Sequence, residues 1–374
     1  MTSGRLAVRR SRAGAGASVV SVLGVLVLVG GFVWATAAET PDEALFAMVG
    51  DTSGAGLRGR QAGGAGALPP VMELLDPGET LLLNLECVLQ PDGAPAESCR
   101  RRPGNSTFRA PLGFADVLRP TGSTIATLAN NHILDCGSEG VLETVGALAD
   151  RGIATVGAGA SLDDACAPLE LSVGGLKVGI VAYLVMGPNP ANASRVSAGA
   201  ASWEECSPLE TLGRLAERND LVIASLHLHL RRGWTREVPE DNRRIVEEAL
   251  DAGADVVVGH GPHVAHGVLT RNGGIGMLSL GNFILGTGYN MPPEAQESLL
   301  AKLRVRDSSL ELELVPLVLD DDGWPHAASS EEAGEILRHL ERTSFELGTR
   351  LEVTDGRAFL RVDRHDSATH SSDP

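Results

Sequence analysis

Two imidazoles, His260 and His263, lie within Gly259-His260-Gly261-Pro262-His263, just after the apolar run Asp255–Val258. Histidine nitrogens so close together on a turn stiffened by proline suit metal ligation, because less chain entropy is lost when the ion binds. Other polar residues occupy the same kind of place, at or just past the end of a β-like apolar run: Asp51, Glu86, Asn131, His132 and His227. Together they offer carboxylate, amide and imidazole donors, a mixed shell suited to borderline divalent ions such as Zn, Mn or Fe. Singly, each has a plainer reading: Asp51 and Asn131 as turn residues, Glu86 as an acid at a strand end. His229 lies two residues beyond His227 and on the same face of an extended chain, so either can bind metal on pattern alone.

These residues are spread along the chain and can meet only if the strands delivering them are neighbours. Predicted strands run over Leu45–Val49, Leu81–Leu85, Ile125–Leu128, Ile153–Val156, Val178–Leu184, Leu221–Leu226, Val256–Val258 and Gly276–Phe283, with more β structure in Leu299–Leu319. Helical periodicity covers Phe114–Leu118, Ser138–Arg151 and Asn242–Ala252, the last two closed by Gly152 and Gly253. Strands alternating with helices predict an α/β fold with a largely parallel sheet, whose ligand edge is the carboxyl end of the strands.

The 374-residue chain has 43% hydrophobic residues and a formal charge of −17. Its only charged residues before position 39 are Arg5, Arg9, Arg10 and Arg12, so the remainder is more acidic still. Such a body repels nucleic acid, and an anionic substrate must be held locally by a metal or by arginines. Residues 18–38 carry no charge. As a helix they span roughly 30 Å, the thickness of a bilayer core. The arginines before them and Glu39, Asp42 and Glu43 after them place the N-terminus inside and the rest outside. Ala35-Thr36-Ala37 also suits signal cleavage, which would export the domain as a secreted protein. The expected organisation is a cytoplasmic tail over 1–17, the anchor or signal over 18–38, one domain over 39–362 and a disordered polar tail over 363–374. Five cysteines suit an exported protein. Cys87 with Cys99 and Cys166 with Cys206 are possible pairs, which would leave Cys136 over; the spacing does not fix the connectivity.

The ordered segments Gly50-Asp51, Asn84-Leu85-Glu86, Ala129 to Gly137, Ser225-Leu226-His227, Gly253 to His263 and Ser279 to Phe283 resemble the CapA family of poly-γ-glutamate capsule proteins. Phe108-Arg109-Ala110-Pro111 and Val156-Gly157-Ala158-Gly159 extend the likeness over about residues 45–290. The resemblance implies a calcineurin-like metallophosphoesterase domain, a four-layer αββα sandwich holding two divalent ions. Carried over, Asp51 and His263 serve one ion, Asn131, His227 and His260 the other, and Glu86 bridges. His132 is the implied proton donor, with Asp135 either orienting it or capping the helix that follows. Asn130, Arg109 and Asn282 are the implied substrate contacts. The implied partners are the membrane, poly-γ-glutamate or another anionic polymer, and capsule synthase subunits. A non-catalytic polymer-handling subunit and a secreted phosphatase unrelated to capsules are the alternatives. The chain departs from the pattern at Thr52-Ser53, where an imidazole is usual, at Leu228-His229 after His227, at Gly261, where the family has histidine, and at Cys136, where an aromatic is common.

The charge asymmetry around residues 18–38 gives a direct test of topology. A reporter active only in the cytoplasm, fused after Pro374, is expected to be silent; strong activity would reverse the orientation.

Overall fold

The computed structural model describes residues 43–57, 70–94, 99, 107–119, 122–228, 234–286 and 291–364. They belong to one compact unit, Pro41–Pro374. The tail over 1–17, the apolar run 18–38, His229 and residues 365–374 lie outside the described residues. Among the described residues no helix is long and apolar enough to cross a membrane.

The chain opens with β1 (Ala44–Thr52), β2 (Thr80–Leu85), β3 (Val88–Gln90) and β4 (Arg109–Pro111). Then come the short helix α1 (Phe114–Val117), β5 (Thr124–Thr127), α2 (Gly137–Ala149), β6 (Ala154–Val156), β7 (Ala158–Gly159) and α3 (Leu162–Cys166). The middle holds β8 (Leu169–Val173), β9 (Leu176–Val185), β10 (Gly199–Ala200), α4 (Pro208–Ala216), β11 (Leu221–Leu228), α5 (Glu240–Asp251) and β12 (Val256–His260). The last third holds β13 (Val268–Arg271), β14 (Gly274–Met277), β15 (Asn282–Ile284), β16 (Glu297–Arg306), β17 (Ser309–Leu319) and β18 (Pro325–Ala327). It closes with α6 (Ser330–Glu346), β19 (Glu352–Thr354) and β20 (Arg357–Asp363).

Two large mixed sheets form, as the αββα resemblance implies, where the strand pattern alone suggests one largely parallel sheet. The larger runs β19-β20-β17-β16-β1-β2-β5-β6, with β15 added to β1 and β18 to β17. Its β1, β2, β5 and β6 are parallel, while β16, β17 and β20 are antiparallel. The smaller runs β13-β14-β12-β11-β9-β8, with a parallel centre of β9, β11, β12 and β14. Alternation in β1 shows how the sheets stack. Phe46 and Met48 join the core shared with Ile180, Ala182, Leu226 and Val257 of the smaller sheet. Ala47 and Val49 join the core containing Phe114 and Leu118 beside α1, and Val141 and Leu148 of α2. On the far side, α4 packs on β9 and β11, and α5 on β12 and β14. Two sheets thus face each other with helices outside.

The segment Gly276–Phe283, expected to be one strand, is two. Gly274–Met277 lies in the smaller sheet, and Asn282–Ile284 pairs with β1 in the larger. Residues 278–281 cross between the sheets and end at Gly281, whose φ of 75° a side chain disfavours. The 17-residue helix α6 was not foreseen. Its buried Ile336, Leu337 and Leu340 and its capping box of Ser329 and Glu332 are readable signals. It packs on β17 and β20 of one sheet and β13 of the other, closing one edge of the sandwich. The short helices α3 and α4 were also missed. The final strand includes Asp363, so the polar tail begins later than expected.

Cys166 pairs with Cys206, one of the two pairings considered. The other is corrected: Cys99 bonds Cys136, and Cys87 is the free thiol. Cys87 is fully buried next to Glu86, and burial pushes its thiol up to about 12.

Gly50 marks the tightest crossing at the strand edge. A Cβ there would lie 2.0 Å from the Gly281 carbonyl oxygen. Gly50→Ala is therefore expected to cost about 1–3 kcal/mol through overpacking, read as a lower urea midpoint. An unchanged midpoint would mean that β1 and residue 281 do not approach this closely.

Candidate metal centre

The parallel strands of both sheets end at one edge, and the candidate ligands meet there. Asp51 leaves β1, where register with β2 shifts between Met48 and Asp51. Such a bulge re-aims the side chain. Glu86 follows β2 directly and is fixed by its backbone N–H, which donates to the Thr52 carbonyl at 2.8 Å. His227 and His260 are register partners on adjacent β11 and β12. His263 sits at φ 61° on the turn after β12.

Asp51, Glu86 and His263 present ligand atoms all within 4.8 Å of one another. His263 Nδ1 lies 3.2 Å from Asp51 Oδ2 and 3.9 Å from Glu86 Oε2. His227 Nε2 is 3.6 Å from Glu86 Oε1, and His260 Nδ1 is 3.7 Å from Asp51 Oδ1. His132 Nε2 is 4.0 Å from Glu86 Oε1. The Asn131 side-chain oxygen is buried without a hydrogen-bond partner. Each residue singled out as a ligand is thus at this edge or on the turn that enters it.

The two carboxylates differ. Asp51 accepts from Asn84 Nδ2 at 2.8 Å and from the Gly261 N–H at 3.0 Å. Burial works to raise its pKa, but His263, His227 and His260 hold it well below the usual carboxylate range. Both Glu86 oxygens are buried with no hydrogen-bond partner. Burial, reinforced by the charge of Asp51, pushes its pKa well up. Burial also lowers His260 to about 4 against the pull of Asp51, and both its ring nitrogens lack partners. Burial opposes charge on His263 too, yet Glu86 and Asp51 outweigh it and lift that imidazole to about 9. Buried donors of this kind without partners are costly. Divalent cations fit them: an ion would satisfy a Glu86 oxygen, one His260 nitrogen and the Asn131 oxygen together.

His132 is held from two sides. Its Nδ1 donates to Asp135 Oδ2 at 2.7 Å, and its ring stacks on Phe108 with centroids 3.9 Å apart. Asp135 Oδ2 also accepts from the Phe108 N–H at 2.7 Å. Asp135 therefore orients the imidazole. It does not cap α2, whose N-cap residue is Cys136 with no side-chain cap bond.

Two expected substrate contacts are differently employed. Asn282 is fully buried. Its Nδ2 donates to the carbonyls of His263 and Ala295, at 3.2 and 2.9 Å, and its Oδ1 accepts from His263 Nδ1 at 2.9 Å. Asn130 is also fully buried; its Nδ2 donates to Asn84 Oδ1 and the Leu85 carbonyl, and its Oδ1 accepts from the His132 N–H. Both hold other residues in place and are not set to reach a substrate. Arg109 is exposed, directly after the stacked Phe108. Sequence reasoning gave no role to Asn84, Phe108 or Trp234. Asn84 and Glu86 are two apart at a strand end, a period that puts both on one side. Trp234, which stacks on His263 with centroids 5.3 Å apart, carried no signal.

The departures from the family pattern have structural counterparts. Gly261 has φ 97°, and a Cβ there would lie 3.1 Å from His227 Nε2. Ser53, in the place of the usual imidazole, is buried, and its hydroxyl accepts from the Ala55 N–H at 3.2 Å.

The bacterial capsule synthesis protein model PGA_cap matches residues 44–287, which include every residue of this centre. The chain belongs to the PGA_cap family. Among curated relatives, the PGA biosynthesis protein CapA of Bacillus subtilis is 26% identical over 257 residues, 67% of this chain and 64% of the relative. The capsule biosynthesis protein CapA of Bacillus anthracis is 27% identical over 60% of this chain and 55% of its own. A probable polyglutamine synthesis accessory protein of Mycobacterium tuberculosis is 32% identical over half of each chain. The match thus spans less than two thirds of these PGA_cap relatives. Among solved structures, a phosphatase of Mycoplasma pneumoniae is 13% identical over 87% of this chain and 95% of that one, at a TM-score of 0.41. The NAD nucleotidase of Haemophilus influenzae is 13% identical over 80% and 56%, at 0.43. At such scores these likenesses decide nothing about chemistry.

Proposed function

We propose that this domain is a metallophosphoesterase-like module with two divalent ions, Mn, Zn or Fe, working outside the membrane in poly-γ-glutamate capsule synthesis or export. The observation that carries it is Glu86: a buried carboxylate with both oxygens unpartnered, facing His132, His227 and His263 within 4.0 Å. Asp51 and His263 would hold one ion, Asn131, His227 and His260 the other, with Glu86 between them. When bound, the ions supply Lewis acidity, which makes a water nucleophilic near neutral pH and offsets developing negative charge. His132, with Nδ1 committed to Asp135, turns Nε2 toward the centre and is placed to pass a proton to a leaving oxygen. The family membership supports the capsule setting, and residues 18–38 support an anchor or export signal. Poly-γ-glutamate is a polyanion and the chain is acidic, so its capture falls to the ions and to exposed arginines such as Arg109. Capsule synthase subunits are the fitting partners.

A second reading is a polymer-handling subunit without turnover. Ser53 favours it, because an imidazole missing beside Asp51 leaves the first ion fewer ligands.

Metal content of the full-length chain tests the centre. One to two divalent ions per chain are expected, since about four mixed ligands suffice for a site. His260→Ala with His263→Ala should strip them. A double variant with wild-type metal would refute the ligand assignment.

His132→Ala should keep its metal and its thermal midpoint while any hydrolysis of an aryl phosphodiester falls by roughly 10²–10⁴. Loss of metal instead would make His132 a ligand. No hydrolysis by the wild type with any divalent ion would leave the polymer-handling reading.

A further inference from the structure

Asn84 has one small side chain and touches both halves of the centre. Its Nδ2 donates to Asp51 Oδ1 at 2.8 Å and lies 3.3 Å from His227 Nδ1. Its Oδ1 accepts from Asn130 Nδ2 at 3.1 Å. Asn130 in turn accepts from the His132 N–H at 3.1 Å, on the turn that carries Asn131. Asp51 comes from the larger sheet and His227 from the smaller, so this amide also bridges the sandwich. Asn84 is 1% exposed, and its nearest carboxylate, Asp51, cannot move without breaking this bond.

We infer that Asn84 is a positioning residue that couples the two ion sites, so that ordering Asp51 for the first ion also orders, through Asn130, the turn that carries Asn131 for the second. The inference rests on the two-ion reading above. Its physical basis is general: groups just behind metal ligands fix their orientation, and losing one typically costs 10–100-fold in metal affinity. An amide that holds Asp51 directly and the Asn131 turn through Asn130 makes that cost fall on both. The competing view is that Asn84 merely joins the sheets. The pair Ser225 and Thr127 is the comparison, because Ser225 Oγ donates to Thr127 Oγ1 at 3.1 Å across the same interface. Neither hydroxyl bonds to a ligand side chain among the described residues.

The experiment strips the full-length chain with a chelator and titrates it calorimetrically with Mn²⁺, alongside Asn84→Ala and Thr127→Val. Thermal midpoints are measured with and without the ion. Asn84→Ala is expected to bind both ions about 10–100-fold more weakly. It should also lose most of the rise in midpoint that Mn²⁺ gives the wild type. Thr127→Val should lower the metal-free midpoint yet keep the wild-type isotherm. Should Asn84→Ala not fold, Asn84→Ser keeps a polar group too short to span Asp51 and Asn130, and is judged by the same criteria. A wild-type isotherm for the Asn84 variants, or a loss confined to the metal-free midpoint, overturns the coupling while the metal centre stands. No uptake by the wild type overturns both.

Discussion

Two carboxylates, Asp51 and Glu86, are buried side by side, and no lysine or arginine is among the described groups that act most on them. Taking even one such charge out of water is expensive unless it is paired and hydrogen-bonded. The rest of the site can be understood as an answer to that cost. Imidazoles surround the pair and answer it in different ways: burial keeps His260 neutral, while the carboxylates hold charge on His263. The Gly261 N–H and the Asn84 amide give Asp51 two fixed donors. Glu86 receives none, and its oxygens point where a cation would relieve them. The fold tolerates this cost at one edge because its large cores, running between the sheets and beneath the helices, are densely apolar elsewhere.

The convergence itself follows from parallel strands. In each sheet the parallel centre sends every carboxyl end to the same side, so turns from distant parts of the chain share one edge. Facing the sheets brings the two edges together: β1, β2 and β5 supply Asp51, Glu86 and the Asn131-His132 turn, and β11 and β12 supply His227 and His260. The crossover at residues 278–281 ties the edges covalently and delivers Asn282 to Nδ1 of His263. Tight passage at Gly50 and Gly281 belongs to the same requirement, since side chains there would hold the backbones apart.

How legible this was depended on the scale of the signal. The central strands were visible because they are short apolar runs ending in polar residues, and the candidate ligands stood at those ends. The order of the motifs identified the family, and the Cys166–Cys206 pair was among the possibilities. Harder features were set by tertiary contact. One strand became two because Gly281 turns the chain between sheets. Cys136 met Cys99 because the turn carrying His132 packs against Phe108, a proximity that no spacing rule contains. Asn130 and Asn282 looked like substrate contacts because they sit inside motifs, yet burial gives their amides internal partners. α6 was missed despite a readable cap and apolar stripe, so that omission lies with the reading and not with the chain.

The departures from the family pattern act together through space. Gly261 stands where a histidine is usual, and any side chain there would press on the His227 ring while forcing a strained backbone. The Gly261 backbone N–H reaches Asp51 Oδ2, a bond that needs no side chain at 261. Ser53 likewise offers no ligand and turns its hydroxyl to the backbone. On the Asp51 side the centre is therefore poorer in imidazoles and richer in fixed hydrogen bonds. Asp51 is held at a low pKa in one orientation, whereas Glu86, high in pKa and bonded to nothing, is the carboxylate free to adjust.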